Sequence, residues 1–250
     1  MAPIPVIDSA IIIVLSVLLP AACWLGVHSS SSSKDRVLAS SITAALLASW
    51  TLAAFSLCIA GAFHPSAWKL IPGRSNAVPL LGTGILVLLV LFLAVGPFRR
   101  TLDAVPQSWL AGAQIGRLVG FLVLSLGLAG VIPMSFAGPA GWGDGITGIL
   151  APVVAFMFSR RVPGAVLVAL IWNAWGLGDL INVARLASLT TPGTSTFDPA
   201  LGDSSNFSLF PTGLLQVLYG PLYVVLHVFS IRAVVRQALG RESAVQVSAV

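Results

Sequence analysis

The chain has 250 residues, of which 57% are hydrophobic and only 8% are charged, whereas soluble domains carry about 25% charged residues. This composition, with a mean hydropathy of +0.98, excludes an ordinary soluble protein and predicts a polytopic membrane protein. A net charge of +5 would suggest a nucleic-acid partner for a soluble protein, but here it indicates basic cytoplasmic loops, so we expect no nucleic-acid partner.

Apolar stretches long enough for membrane helices recur along the chain, since a spanning helix needs about 20 apolar residues. We predict an all-α fold in which residues 1–250 form a single transmembrane domain, a bundle of seven helices. Their predicted bounds are 7–27, 37–62, 78–98, 112–136, 145–159, 164–184 and 210–233. The fifth segment is short, so we expect it to begin within the glycine-rich stretch that precedes it.

Lysine and arginine residues predict the orientation, because cytoplasmic loops carry an excess of them. If the N-terminus is outside, the outer loops hold only Lys69, Arg74 and Arg185. The inner loops and tail then hold Lys34, Arg36, Arg99, Arg100, Arg160, Arg161, Arg232, Arg236 and Arg241. We therefore predict an outside N-terminus, a cytoplasmic C-terminus and a multi-pass location in the plasma membrane or a bacterial inner membrane.

Cofactor and metal sites are not predicted. A retinal protein needs a Schiff-base lysine within a span, and the only lysines, Lys34 and Lys69, lie in predicted loops. His28 and His64 are expected at opposite membrane faces, which disfavours haem ligation by paired histidines. No segment has the spacing of a zinc site or of a phosphate-binding loop. We therefore expect no metal and no cofactor.

Polar side chains inside predicted spans are the candidate functional residues, because a charged one costs about 2.5–3.5 kcal/mol at the bilayer centre. In the sixth span, one helical face carries Trp172, Trp175, Asp179 and Asn182. We interpret Asp179 either as a buried carboxylate that ties helices together or as a group that binds a proton or a ligand.

The seventh span carries a polar stripe of Gln216, Tyr219, Tyr223, His227 and Ser230, and its helix is interrupted at Gly220-Pro221. This stripe is more polar than interfacial anchoring requires, so we expect it to face the interior. His227 is interpreted either as a proton carrier near neutral pH or as a histidine hydrogen-bonded to a neighbouring helix.

The fourth span begins with Gly112, Gly116 and Gly120, whose spacing of four lets helices approach closely and offers a docking face for another membrane protein. Gln114 and Arg117 lie between these glycines. We interpret Arg117 either as a side chain that reaches to the inner headgroups or as an inward-facing charge that holds an anionic group.

An aspartate lies in the glycine-rich stretch PAGWGDGITG at 139–148. Asp144 directly precedes the predicted fifth span, where we expect it to cap the first N–H groups of the helix. The flanking glycines also suit a re-entrant turn that lines a cavity. Asp144 and Asp179 would then form an outer site of two carboxylates.

The segments GAQIGRLVGF, PAGWGDGITGILAP, NAWGLGDLIN and PLYVVLH together resemble a set of uncharacterised bacterial seven-helix membrane proteins. The resemblance covers 112–232, and PAGWGD is its most specific part. It implies no activity, and its matching positions are Gln114, Arg117, Asp144, Asn173, Asp179 and His227. The chain is also similar in size and orientation to small seven-helix membrane terpene cyclases, but it lacks their intramembrane glutamate.

Three functional hypotheses follow. The first is a membrane protein that binds or transports a small molecule or a proton, with an outer site at Asp144 and Asp179 and an inner site at Arg117 and His227. The second is an intramembrane enzyme that acts on a lipid or isoprenoid, with either aspartate as general acid. The third is a non-catalytic assembly or partner protein. A wet path favours transport, an apolar cavity with an acid at its wall favours the enzyme, and a dry interior favours docking.

Overall fold

The computed structural model describes residues 4–30, 35–67 and 69–248, and these ranges contain helices and turns but no strand. A 3-10 segment spans Ala113–Val119, and a π-helical turn spans Leu215–Tyr219. The α-helices are α1 (Val6–Ser30), α2 (Arg36–Ile59), α3 (Ala77–Ala94), α4 (Gly96–Ala104), α5 (Gln107–Gly112), α6 (Gly120–Leu128), α7 (Met134–Ser159), α8 (Ala165–Thr190) and α9 (Gly220–Ser248).

The membrane class and the all-α fold are confirmed. In the described ranges, 6 helical segments are long and apolar enough to cross a membrane, or 7 if α3 and α4, which are bent by 100°, are counted as one span. The third of the six combines α5, the 3-10 segment and α6 into one segment, Gln107–Leu128, which we call the α5–α6 segment. Among the residues used to predict the orientation, Lys34 lies outside the described ranges.

The glycine-rich stretch at 139–148 is helical. The α5–α6 segment ends at Leu128, and α7 begins at Met134, directly after Pro133, so α7 contains the whole stretch. Asp144 therefore lies in the middle of a helix, neither at its N-terminal cap nor in a re-entrant turn. Glycine disfavours an isolated helix by about 1 kcal/mol relative to alanine, but a backbone in lipid must satisfy its own hydrogen bonds, and close helix packing favours small residues.

Close packing between α7 and the α5–α6 segment explains these glycines. A Cβ atom at Gly141 would lie 2.8 Å from the carbonyl oxygen of Gly120. A Cβ atom at Gly148 would lie 2.6 Å from the backbone nitrogen of Leu118. Side chains at these positions would force the two helical segments apart, and α7 would then lose its position beside Arg117.

The break before α9 has a local cause. Pro221 has no N–H to donate and its ring crowds the carbonyl four residues earlier, that of Val217. Here the backbone passes through the π-helical turn, and the Val217 carbonyl accepts a hydrogen bond from Nε1 of Trp50 over 2.8 Å. A side chain of α2 thus supplies the donor that proline removes from the helix, as lipid surroundings require.

The last span lies at the centre of the structure. In the most apolar 18-residue stretch of Leu215–Leu239, 67% of the residues are buried, whereas only 22% are buried in the corresponding stretch of α2. α9 packs against α3, α5 and α8, whereas α7 packs between the α5–α6 segment and α8. Side chains from the α5–α6 segment, α7, α8 and α9 can therefore meet in one interior region.

Candidate functional site

Arg117 lies at the centre of a buried polar network, and its side chain is 0% exposed. Nε donates to Oδ1 of Asp144 over 2.6 Å, and Nη2 donates to Oδ2 of Asp179 over 2.5 Å. Nη1 donates to the carbonyl oxygen of Gly176 over 3.0 Å and to Nε2 of His227 over 2.8 Å. Arg117 therefore points inward and holds two carboxylates; it does not reach to the headgroups.

The protonation pattern of His227 follows from these contacts. A guanidinium group only donates hydrogen bonds, so Nε2 of His227 accepts, and Nδ1 carries the proton. Nδ1 then donates to Oδ1 of Asn173 over 2.8 Å. A charged imidazolium would place a second N–H against the guanidinium. His227 is thus held as a neutral hydrogen-bonded histidine in this arrangement.

The network continues toward the start of the α5–α6 segment. Nδ2 of Asn173 donates to Oγ of Ser230 over 2.8 Å, and Nε2 of Gln107 donates to the same oxygen over 2.6 Å. Together with the contacts of Arg117, the network joins four helical segments: the α5–α6 segment, α7, α8 and α9. We call the following residues the Arg117 cluster: Gln107, Arg117, Asp144, Asn173, Asp179, His227 and Ser230.

Two glycines make room for the cluster. A Cβ atom at Gly176 would overlap the ring of His227 and would lie 3.0 Å from Nη1 of Arg117. A Cβ atom at Gly143 would overlap the carboxylate of Asp179. At Gly143 and Gly176, α7 and α8 therefore present backbone without a side chain to the charged groups. This allows the guanidinium to contact both helices.

The cluster has an unbalanced formal charge. One guanidinium contacts two carboxylates, so the three groups together carry a charge of −1 when both aspartates are ionised. Burying charge is costly unless it is paired. Arg117 therefore compensates one of the two negative charges, and the other is available to a proton or to a cationic ligand.

Two further predicted site residues, Gln114 and Tyr223, are buried beside Arg117. Both polar atoms of Gln114 and the hydroxyl of Tyr223 have no hydrogen-bond partner among the described residues. The Tyr223 ring centroid lies 5.8 Å from Cζ of Arg117, within the range of a cation–π contact. The Tyr223 hydroxyl packs on Gly116, where a Cβ atom would lie 2.5 Å away.

The other predicted residues lie around the cluster. Trp172 is buried, and its ring centroid lies 5.2 Å from that of His227. Trp175 is 51% exposed, and Asn182 is half-buried one turn beyond Asp179. The face of α8 that enters the cluster is thus defined by Asn173 and Asp179, and Trp175 does not belong to it. Tyr219 is buried with its ring centroid 5.7 Å from that of Tyr223.

A cavity of about 380 Å³ adjoins the cluster between α3, α7, α8 and α9, and its walls are mainly apolar. Among the described residues, Asp144 is the only ionisable member of the Arg117 cluster in its wall. The far end is lined by Arg74, Ser188 and Thr194, where Ser195 N donates to the carbonyl oxygen of Gly73 over 2.8 Å. We call this space the Asp144 cavity.

Asp144 connects the cavity to the ion pairs. Its Oδ1 accepts from Arg117, whereas its Oδ2 receives no hydrogen bond from the described residues. The side chain is 17% exposed, compared with 6% for Asp179. One carboxylate oxygen of Asp144 is thus without a hydrogen-bond partner among the described residues, while the other is held in place by the guanidinium.

Sequence reasoning identified most of the cluster but missed Gln107, Gly143 and Gly176. Gln107 lies five residues before the predicted start of its span, at residue 112. The sequence did contain a signal for the two glycines. Gly176 lies three residues before Asp179 in the sixth span, and Gly143 lies one residue before Asp144. Two separate sites were expected from the sequence, an outer one at Asp144 and Asp179 and an inner one at Arg117 and His227. In the structure these four residues form one site.

Comparisons with known proteins give one match. A family model described as Domain of unknown function (DUF8737) matches residues 76–235. The comparisons with curated proteins and with solved structures returned no match. The matched range contains the whole Arg117 cluster and the helices around the Asp144 cavity, whereas α1 and α2 lie outside it.

Proposed function

This chain belongs to the family described as Domain of unknown function (DUF8737), and we propose that it is an integral membrane protein that binds a small, largely apolar molecule beside Asp144. One observation carries the proposal: Asp144 belongs both to the buried ion pairs and to the wall of the cavity. The other oxygen of its carboxylate has no partner among the described residues.

The size and chemistry of the cavity support this proposal. Small-molecule sites commonly enclose about 300–1,000 Å³ and combine apolar walls with a few placed polar groups. The Asp144 cavity has about 380 Å³, and its wall carries Asp144 at one end and Arg74 at the other. A largely apolar molecule that dissolves in the bilayer fits such walls, and the polar groups at the two ends of the cavity give the site its specificity.

Binding is favoured over transport in the arrangement described. His227 and Asn173 do not line the cavity, and both are hydrogen-bonded within the cluster. A carrier would need a second arrangement in which the cluster opens. Protonation of Asp144 or Asp179 would remove an ionic contact to Arg117 and could bias the protein toward such a state.

The predicted orientation is part of the proposal. With the N-terminus outside, Arg74 and Thr194 lie in outer loops, so the polar end of the cavity faces outward. The protein would then receive its ligand from the outer leaflet of a plasma membrane or a bacterial inner membrane.

A second candidate is an intramembrane enzyme that acts on a lipid or isoprenoid. The observation that favours it is the same acid at the wall of an apolar cavity, because a carboxyl group there can transfer a proton to a bound substrate. Conversion of an added lipid, lost in the Asp144→Asn variant, would identify an enzyme. Binding without conversion would identify a receptor or carrier.

A partner-docking role has less support. The glycines proposed as a docking face pack within the chain: a Cβ atom at Gly120 would lie 2.5 Å from Cβ of Asp144, and Gly116 packs on Tyr223. A Cβ atom at Gly112 would lie 4.0 Å from Cβ of Ala155, which is an ordinary contact. The contacts within the chain therefore explain Gly116 and Gly120 without a second protein.

The binding proposal is tested by filling the cavity. Ala184 and Ala174 both lie on α8 and are exposed, but only Ala184 lines the cavity. Purified protein in phosphatidylcholine nanodiscs is labelled with dodecanol that carries a diazirine, and labelled residues are mapped by mass spectrometry. We expect buried cavity residues such as Leu215 and Tyr219 to be labelled, and Ala184→Phe to abolish this labelling.

The matched control is Ala174→Phe, which adds the same ring to the same helix and should leave labelling of the cavity unchanged. Equal labelling in both variants and in the unmodified protein would contradict the proposal, because the probe would then report only the lipid-facing surface.

A further inference from the structure

The charge of the Asp144 carboxylate sets a chemical preference for the cavity, and we infer that its ligand is an apolar molecule that carries a protonated amine. This inference rests on the proposed binding function and names the class of ligand. The apolar part lies along the walls between α3 and α8, and the amine lies at Oδ2 of Asp144.

The charges around Asp144 favour a cationic group. Arg117 faces it from the 3-10 segment, Asp179 lies across the same guanidinium on α8, and Tyr223 faces it from α9. The two carboxylates exceed the guanidinium by one negative charge, and His227 contributes no positive charge because its Nε2 accepts from Arg117. A ligand ammonium would bring the buried group to neutrality.

The arginine in the cavity wall is too distant from Asp144 to balance the negative charge there. Arg74 lies in the loop before α3, at the opposite end of the cavity. Residues 177 and 188 of α8 both line the cavity, and a helix of that length spans about 16 Å. Arg74 therefore meets the opposite end of the ligand, and the charge near Asp144 is left for the ligand itself.

The other ligand classes fit less well. A carboxylate or phosphate head would meet the negative charge of Asp144. A bare metal cation takes about six oxygen ligands, and the described residues contain no group of three or more acidic, histidine or cysteine side chains that could hold one. Aromatic rings in the wall, those of Phe136, Phe207 and Tyr219, instead suit an organic cation with apolar substituents.

The test compares three probes that differ only in the head group. Dodecylamine, dodecanol and dodecanoate, each with the same diazirine, are photolysed with the full-length protein in phosphatidylcholine nanodiscs at neutral pH. Labelling of the cavity is divided by labelling of lipid-facing Val153 and Phe156, which corrects for partition into the bilayer. We expect the amine to exceed the alcohol by about tenfold or more, since charge-assisted hydrogen bonds are the stronger ones, and the carboxylate to label least.

Asp144→Asn should remove the excess of labelling by the amine over the alcohol, because it removes the charge that distinguishes the two head groups. Asp103→Asn, at an aspartate far from the cavity wall, is the control and should change neither probe. Because the three-probe comparison needs no variant, it decides the question even if Asp144→Asn does not fold.

The outcomes separate the inference from the proposed function. Equal labelling by amine and alcohol, abolished for both by Ala184→Phe, would overturn the amine inference and leave the binding function in place. No labelling of the cavity by any probe would overturn both.

Discussion

Among the described residues, two sets of ion pairs between arginine and aspartate differ in burial. In the interior, Arg117 contacts Asp144 and Asp179 over 2.6 and 2.5 Å with a side chain that is 0% exposed. On α9, Arg232 and Arg236 contact Asp103 of α4 over 2.7 and 2.9 Å with side chains that are 42% and 51% exposed. The distances are almost the same, so distance alone does not show which pairs the fold depends on.

The solvent around each set decides its weight. An exposed pair gains about 0–1 kcal/mol, because water already solvates both charges. Removal of one partner from a buried pair costs about 3–5 kcal/mol, because a charge is left in an apolar interior. The interior set also joins three helical segments, whereas the peripheral set joins only α4 and α9. We therefore expect the two sets to respond very differently to equivalent substitutions.

The largest effect is expected for Arg117→Met. This variant leaves Asp144 and Asp179 without their counter-charge and should lose about 3–5 kcal/mol of unfolding free energy. The matched change Arg232→Met should lose less than about 1 kcal/mol. Unfolding by a denaturing detergent, followed by tryptophan fluorescence, measures both.

Equal losses in the two variants would contradict the comparison. If Arg117→Met does not accumulate, the variant that combines it with Asp144→Asn and Asp179→Asn separates charge from packing. It should recover part of the lost stability, because no unpaired charge remains.

An intermediate effect is expected for Gly143→Ala. Its Cβ atom would overlap the Asp179 carboxylate, so the pair with Arg117 must shift, and overpacking of this kind costs about 1–3 kcal/mol. Gly138→Ala in the same helix is the control, since its Cβ atom would meet only Met134 Cε at 3.7 Å. Thermal unfolding in detergent should show a loss for Gly143→Ala and none for Gly138→Ala, because alanine itself favours a helix over glycine. A loss of the same size in both would mean that any methyl group added to α7 disturbs its packing, and that the contact with Asp179 is not responsible.

The smallest effect is expected for Asp103→Asn on α4, which is outside the six candidate spans. The hydrogen bond from Arg232 lowers the pKa of Asp103 below its ordinary value, partial burial opposes this, and the charge of Arg236 adds to the lowering. A lowered carboxyl pKa stabilises the fold above the ordinary pKa, and this contribution is lost as the pH falls through the lowered one.

The unmodified protein should therefore exceed Asp103→Asn by less than about 1 kcal/mol at neutral pH. The difference should vanish in strong acid, where Asp103 is protonated. Unfolding of both proteins across the acid range measures it, and a difference that persists at the lowest pH would assign the effect to packing.

The members of the Arg117 cluster could mostly be found from the sequence, but their partners could not. Arg117, Asp144, Asp179 and His227 are conspicuous because charge and polarity are costly inside apolar runs. The separations along the chain from Arg117 to these partners are 27, 62 and 110 residues. Contacts at such separations depend on which helices are neighbours, and no local pattern encodes that.

Asp144 shows why a local pattern can mislead. In water, glycines around an aspartate indicate a turn or a helix start, because glycine weakens helices and aspartate caps them. Here the same glycines continue the helix and let Gly141 and Gly145 pack directly on the α5–α6 segment. The aspartate then lies at mid-helix, where the guanidinium takes the place of backbone N–H groups as its partner.

The sequence by itself determined the membrane class, the all-α fold and the concentration of polar residues in the second half of the chain. Hydropathy is additive along a segment, and a backbone in lipid must satisfy its hydrogen bonds within the segment, so these properties are local. Only the tertiary structure decided that Arg117 holds both aspartates, that His227 is a neutral acceptor, and that Asp144, alone of the ion-paired residues in the described ranges, reaches the cavity. Each of these depends on the packing of helices against one another, which the order of residues within any one helix does not specify.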